Sequence, residues 1–106
     1  MNPIKNPFGV LLTASDLEKL NKAGYNNMTP IVKLFVGPLT WLLTGEEDGY
    51  FYGYGDLGQG CVEWGGLTNI EELPEVKFGP FWLEKDKWFV HKDGTNYLDL
   101  ETLTGI

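Results

Sequence analysis

Residues 31–56 read IVKLFVGPLTWLLTGEEDGYFYGYGD, and this stretch decides the fold. Three runs in it, Ile31 to Val36, Trp41 to Thr44 and Tyr50 to Tyr54, are rich in the β-branched, apolar and aromatic side chains that fill a pleated surface. Gly37-Pro38 separates the first from the second, and the acidic loop Gly45-Glu46-Glu47-Asp48-Gly49 separates the second from the third; both are turn-forming breaks. Short connections make consecutive strands neighbours, so the stretch predicts an antiparallel meander. Cys61-Val62-Glu63-Trp64, beyond the glycine-rich Gly55-Asp56-Leu57-Gly58-Gln59-Gly60, supplies a fourth strand.

Outward from the meander, the chain carries helix signals on either side. Thr13 reads as an N-cap, Asp16 as the return position of a capping box, and Gly24 as a left-handed stop. Leu12 and Leu17 stand where a hydrophobic staple places its pair, and Leu17 with Leu20 continues the buried stripe. Thr68 and Glu71 have the spacing of a second capping box, opening a brief helix that Pro74 ends. Val76 to Phe78, Phe81 to Leu83 and Trp88 to Val90 are further short strand candidates, and Asp93-Gly94 suits a hairpin turn. The expectation is an α+β fold in one domain, residues 1–106: a small antiparallel sheet with an N-terminal helix and one short second helix packed on it. Leu17, Leu20, Val32, Leu34, Trp41, Leu43, Phe51 and Val62 are expected inside. The four tryptophans, Trp41, Trp64, Trp82 and Trp88, suggest an aromatic core.

With 42% hydrophobic and 22% charged residues the chain is of globular composition, neither disordered nor membrane-like. One cysteine, Cys61, cannot form an internal disulfide, and the first residues lack the apolar centre of a signal peptide, so a cytoplasmic location is expected. The net charge is −7 and all eight basic residues are lysine. Arginine's planar fork is the usual reader of phosphate and guanine, so its absence argues against direct nucleic-acid binding. Between Lys33 and Lys77 lie Glu46, Glu47, Asp48, Asp56, Glu63, Glu71, Glu72 and Glu75 and no base at all. These eight acids are the expected contact residues for a protein partner, a basic one by complementarity. Whether they form one surface is a question for the fold, and the oligomeric state is open.

Other combinations of residues are formally available for chemistry. Gly53-Tyr54-Gly55-Asp56-Leu57-Gly58 matches the spelling of a dinucleotide fingerprint, with Glu75 as the ribose acid. No helix signal follows to face a pyrophosphate, so the segment reads as a turn or bulge, with Asp56 as an Asx-type residue. Cys61 and His91 could pair as thiolate and imidazole, but Cys61 sits in an apolar strand pattern as a buried thiol would, and His91 on a surface turn. Asp56 and Glu63 could make an acid and base pair, yet so small a domain rarely encloses the cleft that such chemistry needs. One histidine and one cysteine leave too few ligands for zinc, and the acidic loops lack calcium spacing. The tyrosine block reads as core packing alternating with an exposed tyrosine face. No catalytic, cofactor or metal residue is assigned.

Five motifs occur in order: Val32-Lys33-Leu34-Phe35, Trp41-Leu42-Leu43-Thr44, Asp56-Leu57-Gly58-Gln59-Gly60, Glu63-Trp64-Gly65-Gly66-Leu67 and Glu84-Lys85-Asp86. Over residues 11–90 the chain resembles a domain-of-unknown-function family of short bacterial proteins carried on plasmids, conjugative elements and phages. It departs from that pattern at Lys85, usually arginine, at Gly66, often tyrosine, and in a longer tail from His91 onward. The family brings no activity with it. The resemblance implies a mobile-element setting, and the expected function is a non-enzymatic acidic binding protein. In its sharper form it inhibits a host defence protein by mimicking the charge of DNA. The alternatives are a sugar- or nucleotide-binding module lined by Trp64 or the tyrosines, and a small carboxylate-dependent enzyme.

Overall fold

Trp41, Leu42 and Leu43 stand next to one another in a strand, so alternation sends them to opposite faces, and both faces must be covered. In the computed structural model, which describes residues 2–106, that is what happens. The meander forms as β3 (Val32–Val36), β4 (Leu39–Glu47), β5 (Tyr50–Asp56) and β6 (Val62–Asn69), each antiparallel to the next. A two-residue strand, β9 (Glu84–Lys85), pairs with β3 and completes a five-stranded sheet in the order β6-β5-β4-β3-β9. Two hairpins stand apart from it, β1 (Ile4–Asn6) with β2 (Gly9–Leu12), and β7 (Lys77–Phe78) with β8 (Phe81–Trp82).

One face of the sheet carries Val32, Leu34, Val36, Trp41, Leu43 and Phe51 and is covered by Leu17 and Leu20 of the helix α1 (Ala14–Ala23), with Leu11, Leu12, Leu73 and Leu83. The other carries Leu42, Tyr54 and Val62 and is covered by Tyr97 and Leu103 from the C-terminal segment. All eight residues expected inside are buried. Leucine, not tryptophan, does most of the filling, for only Trp41 of the four tryptophans is buried and Trp88 is 90% exposed.

The N-terminal helix follows its sequence signals. Thr13 Oγ1 accepts from the Asp16 N–H at 3.0 Å, and Asp16 Oδ2 accepts from the Thr13 N–H at 2.9 Å. The same carboxylate is held by Lys85 Nζ at 2.6 Å, so the cap also fastens β9. Gly24 ends the helix with the positive φ expected of its stop, 69°, but at ψ −168° it lies outside the left-handed helical basin, in a region that only glycine occupies readily. A Cβ built on Gly45 would lie 1.6 Å from the Gly24 carbonyl oxygen, so only glycine lets the helix end lie against β4.

The α+β expectation is overturned: the chain is mostly β, 40% strand and 15% helix. The second helix is a lone 3-10 turn at Leu73–Glu75, because Thr68 pairs with Phe51 inside β6 and its backbone belongs to the sheet. The Glu72 N–H is taken instead by Asn69 Oδ1 at 2.8 Å. The acidic loop is shorter than its sequence suggests, since Gly45 to Glu47 extend β4 and only Asp48 (φ 53°) and Gly49 (φ 80°) turn. That positive pair is what a two-residue hairpin loop requires. Trp88 to Val90 form no strand; Glu84–Lys85 takes that place by pairing with Leu34 and Phe35. Asp93-Gly94 turns the chain without joining two strands.

Asp56 closes β5 and is fully buried. As expected of an Asx residue it accepts from the Gly58 N–H, at 2.8 Å. Its other oxygen receives the Leu103 N–H at 2.8 Å and the Thr102 hydroxyl at 2.7 Å, which clasps the C-terminal segment to the sheet. Burial pushes this carboxyl's pKa up, but the donors from Leu103, Gly58 and Thr102 outweigh burial and hold it below the usual value. A lowered folded pKa means that this stability is present above the unfolded value, about 3.9, and is lost as pH falls through the folded one. Asp56→Ala should cost about 3 kcal/mol in chemical denaturation. Asp56→Asn should flatten the loss of stability between neutral and acid pH. Gly58, at φ 78°, has space for a Cβ only 2.7 Å from Pro38 Cβ, whereas Gly60, at φ 83°, faces open space. Gly58→Ala should therefore cost more than the roughly 1 kcal/mol expected of Gly60→Ala.

Candidate functional site

Strand directions sort the eight acidic residues by end of the sheet. β4 ends and β5 begins at the Asp48-Gly49 turn, and β6 returns to the same end, where the Ile70 N–H donates to the Gly49 carbonyl at 2.8 Å. Glu47 at the end of β4, Asp48 on that turn, Glu71 and Glu72 just beyond β6, and Glu75 in the 3-10 turn are exposed. Asp56 and Glu63 lie at the opposite end of β5 and β6, about 20 Å away at strand rise. Two of the eight do not belong to the surface at all. Asp56 is the clasp described above, and Glu46, 7% exposed, accepts from Asn21 Nδ2 at 3.2 Å and from the Gly49 N–H at 3.4 Å. Their expected role in partner contact is corrected by burial and by these bonds. Glu63 is exposed beside a hollow of about 270 Å³ lined by Trp41, Leu57 and Trp64.

At the carboxylate-rich end, one face of the sheet is aromatic. Alternation in β5 sends Phe51 inward and leaves Tyr50 and Tyr52 on the other face, their ring centroids 5.7 Å apart. Tyr25, from the loop after α1, meets Tyr52 at 5.9 Å, and Trp64 of β6 stacks on Tyr52 at 6.2 Å with 24° between planes. Trp64 Nε1 donates to Thr44 Oγ1 at 3.1 Å, and that hydroxyl donates to the Tyr52 carbonyl at 3.2 Å, fixing the stack. Thr44 is free for this because the β4–β5 register steps past it as a bulge. Gly66 lies directly beneath the rings, where a Cβ would come within 2.8 Å of Tyr50 Cε1 and make that ring shift.

Tyr25 and Tyr50 are exposed, and Glu47, paired across the turn with Tyr50, stands on the rim. Tyr54, next along, turns inward and donates to the Met28 carbonyl at 2.8 Å; burial and the neighbouring Tyr97 raise its pKa, so it remains a donor. The alternating tyrosine face was legible in the sequence. Tyr25 and Trp64 as its partners were not, because the loop and the bulge that bring them there leave no local pattern.

The other expected sites resolve plainly. Gly53 to Asp56 are strand, Gly58 turns, and no helix follows to face a phosphate. His91 is engaged by Tyr97, Nδ1 to the hydroxyl at 2.8 Å. Cys61 is exposed in the loop before β6, contrary to the buried thiol expected, because the strand begins one residue later. Among the described residues no three His, Cys, Asp or Glu side chains gather as metal ligands, and no helix is long and apolar enough to cross a membrane.

A family model described as "Protein of unknown function (DUF2958)" matches residues 11–104. The match takes in the tail beyond His91, which is thus no departure from the family and which the structure shows clasped to the sheet. No curated protein and no solved structure matches the chain. The exposure of Cys61 has a direct consequence: an aromatic disulfide reagent should titrate one thiol in the native protein at nearly its rate in denaturant, whereas a buried thiol would react only after unfolding.

Proposed function

The chain belongs to the DUF2958 family, whose activity is unassigned, and on that footing we propose from its own surface that it is a non-enzymatic protein-binding domain for a basic segment of a partner. The observation that carries this reading is the stack of Tyr25, Tyr50, Tyr52 and Trp64, partly open to solvent and rimmed by Glu47 and Asp48. A guanidinium or ammonium over such rings gains about 0.5–2 kcal/mol, and the rim carboxylates attract the same cations. Glu71, Glu72 and Glu75 extend the negative field along that end of the sheet and speed encounter with a positive partner. The division of the carboxylates between two ends, with two of them buried, favours a short basic segment over the long groove of a DNA-binding protein as the thing bound. By sequence resemblance alone, we infer that the protein serves a mobile element in the cytoplasm of its host.

Hexa-arginine and hexa-lysine peptides added to the labelled protein should shift the amide and ring signals of Tyr25, Tyr50, Tyr52 and Trp64. Affinity should fall with salt, since exposed charges are screened over about 8 Å at physiological ionic strength. Reversal of both rim charges, Glu47→Lys with Asp48→Lys, should weaken binding roughly tenfold, about 1.4 kcal/mol. Shifts confined to other surfaces, or affinity indifferent to salt and to charge reversal, would remove the proposal.

A further inference from the structure

A groove of about 450 Å³ opens at the other edge of the sheet, between the β1–β2 hairpin and the segment from Glu84 to Trp88. Two aromatic prongs flank it, Phe8 at 65% exposure and Trp88 at 90%. Both are set in place by the same device. Asn6 Oδ1 accepts the N–H groups of Phe8 at 2.9 Å and Gly9 at 3.1 Å, while its Nδ2 donates to the Leu83 carbonyl at 2.7 Å. Asp86 Oδ1 accepts the Trp88 N–H at 2.8 Å, and Asp86 Oδ2 pairs with Lys33 Nζ at 3.4 Å. The backbone under each ring is therefore pinned to the sheet, and the ring itself is left in water. An aromatic side chain carries about 150–250 Å² of surface, so holding two of them open forgoes burial that a binding partner can recover.

The polar groups between the prongs narrow the ligand. Lys33 is paired with Asp86, and Lys85 with Asp16 at 2.6 Å, which neutralises the groove floor. Glu84 and the exposed Lys87 remain, one acceptor group and one donor group of opposite charge. An anionic ligand would find no excess of cations there, and a basic one no excess of carboxylates. A neutral ring with an apolar face and an edge of hydroxyls, each both donor and acceptor, matches flat aromatic surface flanked by mixed donors and acceptors. We propose that this groove is a carbohydrate-binding site, with the C–H face of a neutral sugar ring laid on Trp88 and its hydroxyls bonded by Glu84 and Lys87. It is independent of the basic-segment face, which lies at a different part of the sheet and uses none of these residues.

The full chain, isotopically labelled, is titrated with maltotriose, cellotriose and chitotriose, and with adenosine monophosphate as an anionic ring. One of the neutral trisaccharides should shift the Trp88 indole signal together with amides of residues 8–11 and 84–88. Trp88→Ala, which removes a ring already in solvent and so leaves the spectrum otherwise intact, should raise its Kd roughly tenfold. Glu84→Gln, which keeps an acceptor, should weaken binding less. Shifts with none of the sugars, binding of the monophosphate alone, unchanged affinity in Trp88→Ala, or Trp88 shifts that follow protein concentration without sugar would each overturn the assignment.

Discussion

β4 is hidden from water on both sides, and the rest of the structure answers to that constraint. Trp41 and Leu43 need one cover and Leu42 another. The helix with the N-terminal hairpin provides the first, and the C-terminal segment the second. Since the only regular structure in that segment is a single 3-10 turn at Tyr97–Asp99, it cannot hold itself in place by a sheet ladder. Its attachment falls to side chains: Tyr97 and Leu103 by burial, and Asp56 by gathering the Thr102 and Leu103 donors. A buried carboxylate is tolerable there because every bond that it needs is supplied.

What could be read from the sequence was what is encoded locally. Thr13 and Asp16 lie three residues apart, and the alternation of Tyr50 to Tyr54 is a matter of neighbours, so both were visible before the fold was known. The Thr68 and Glu71 spacing was equally local and misled, because pairing of Thr68 with Phe51 engages the backbone that a helix would have used. Tertiary contact overrode propensity there. The clasp on Asp56 joins residues 46 and 47 positions apart, and nothing near Asp56 in the chain announces Thr102 or Leu103. Of the candidate contact residues, Asp48 turns as the acidic loop implied, whereas Glu47 closes β4, Glu71 and Glu72 lie in a turn where a helix was expected, and Glu46 is hidden by a three-residue extension of β4 that a polar run does not advertise.

The segment with no lysine is therefore not uniformly a surface. Glu46 and Asp56 serve the interior, Glu63 stands alone at the far end, and the remaining five line one end of the sheet. Lysines meanwhile serve as fasteners: Lys33 to Asp86 and the Ile106 carbonyl, Lys85 to the helix cap. An arginine-free chain can do this because each of these contacts asks for a compact point charge and not for a planar fork.

β6 has a strand partner on one side only, so its outer edge presents backbone donors and acceptors to solvent. A straight, apolar edge of eight residues would be a template for the strand of a neighbouring molecule and a seed for aggregation. Gly65-Gly66 deprives the middle of this edge of cross-strand side chains, and the step in register at Leu67 twists it away from flatness. Intermolecular sheet extension is thereby discouraged along the longest open edge of the molecule, and recognition is left to its side chains.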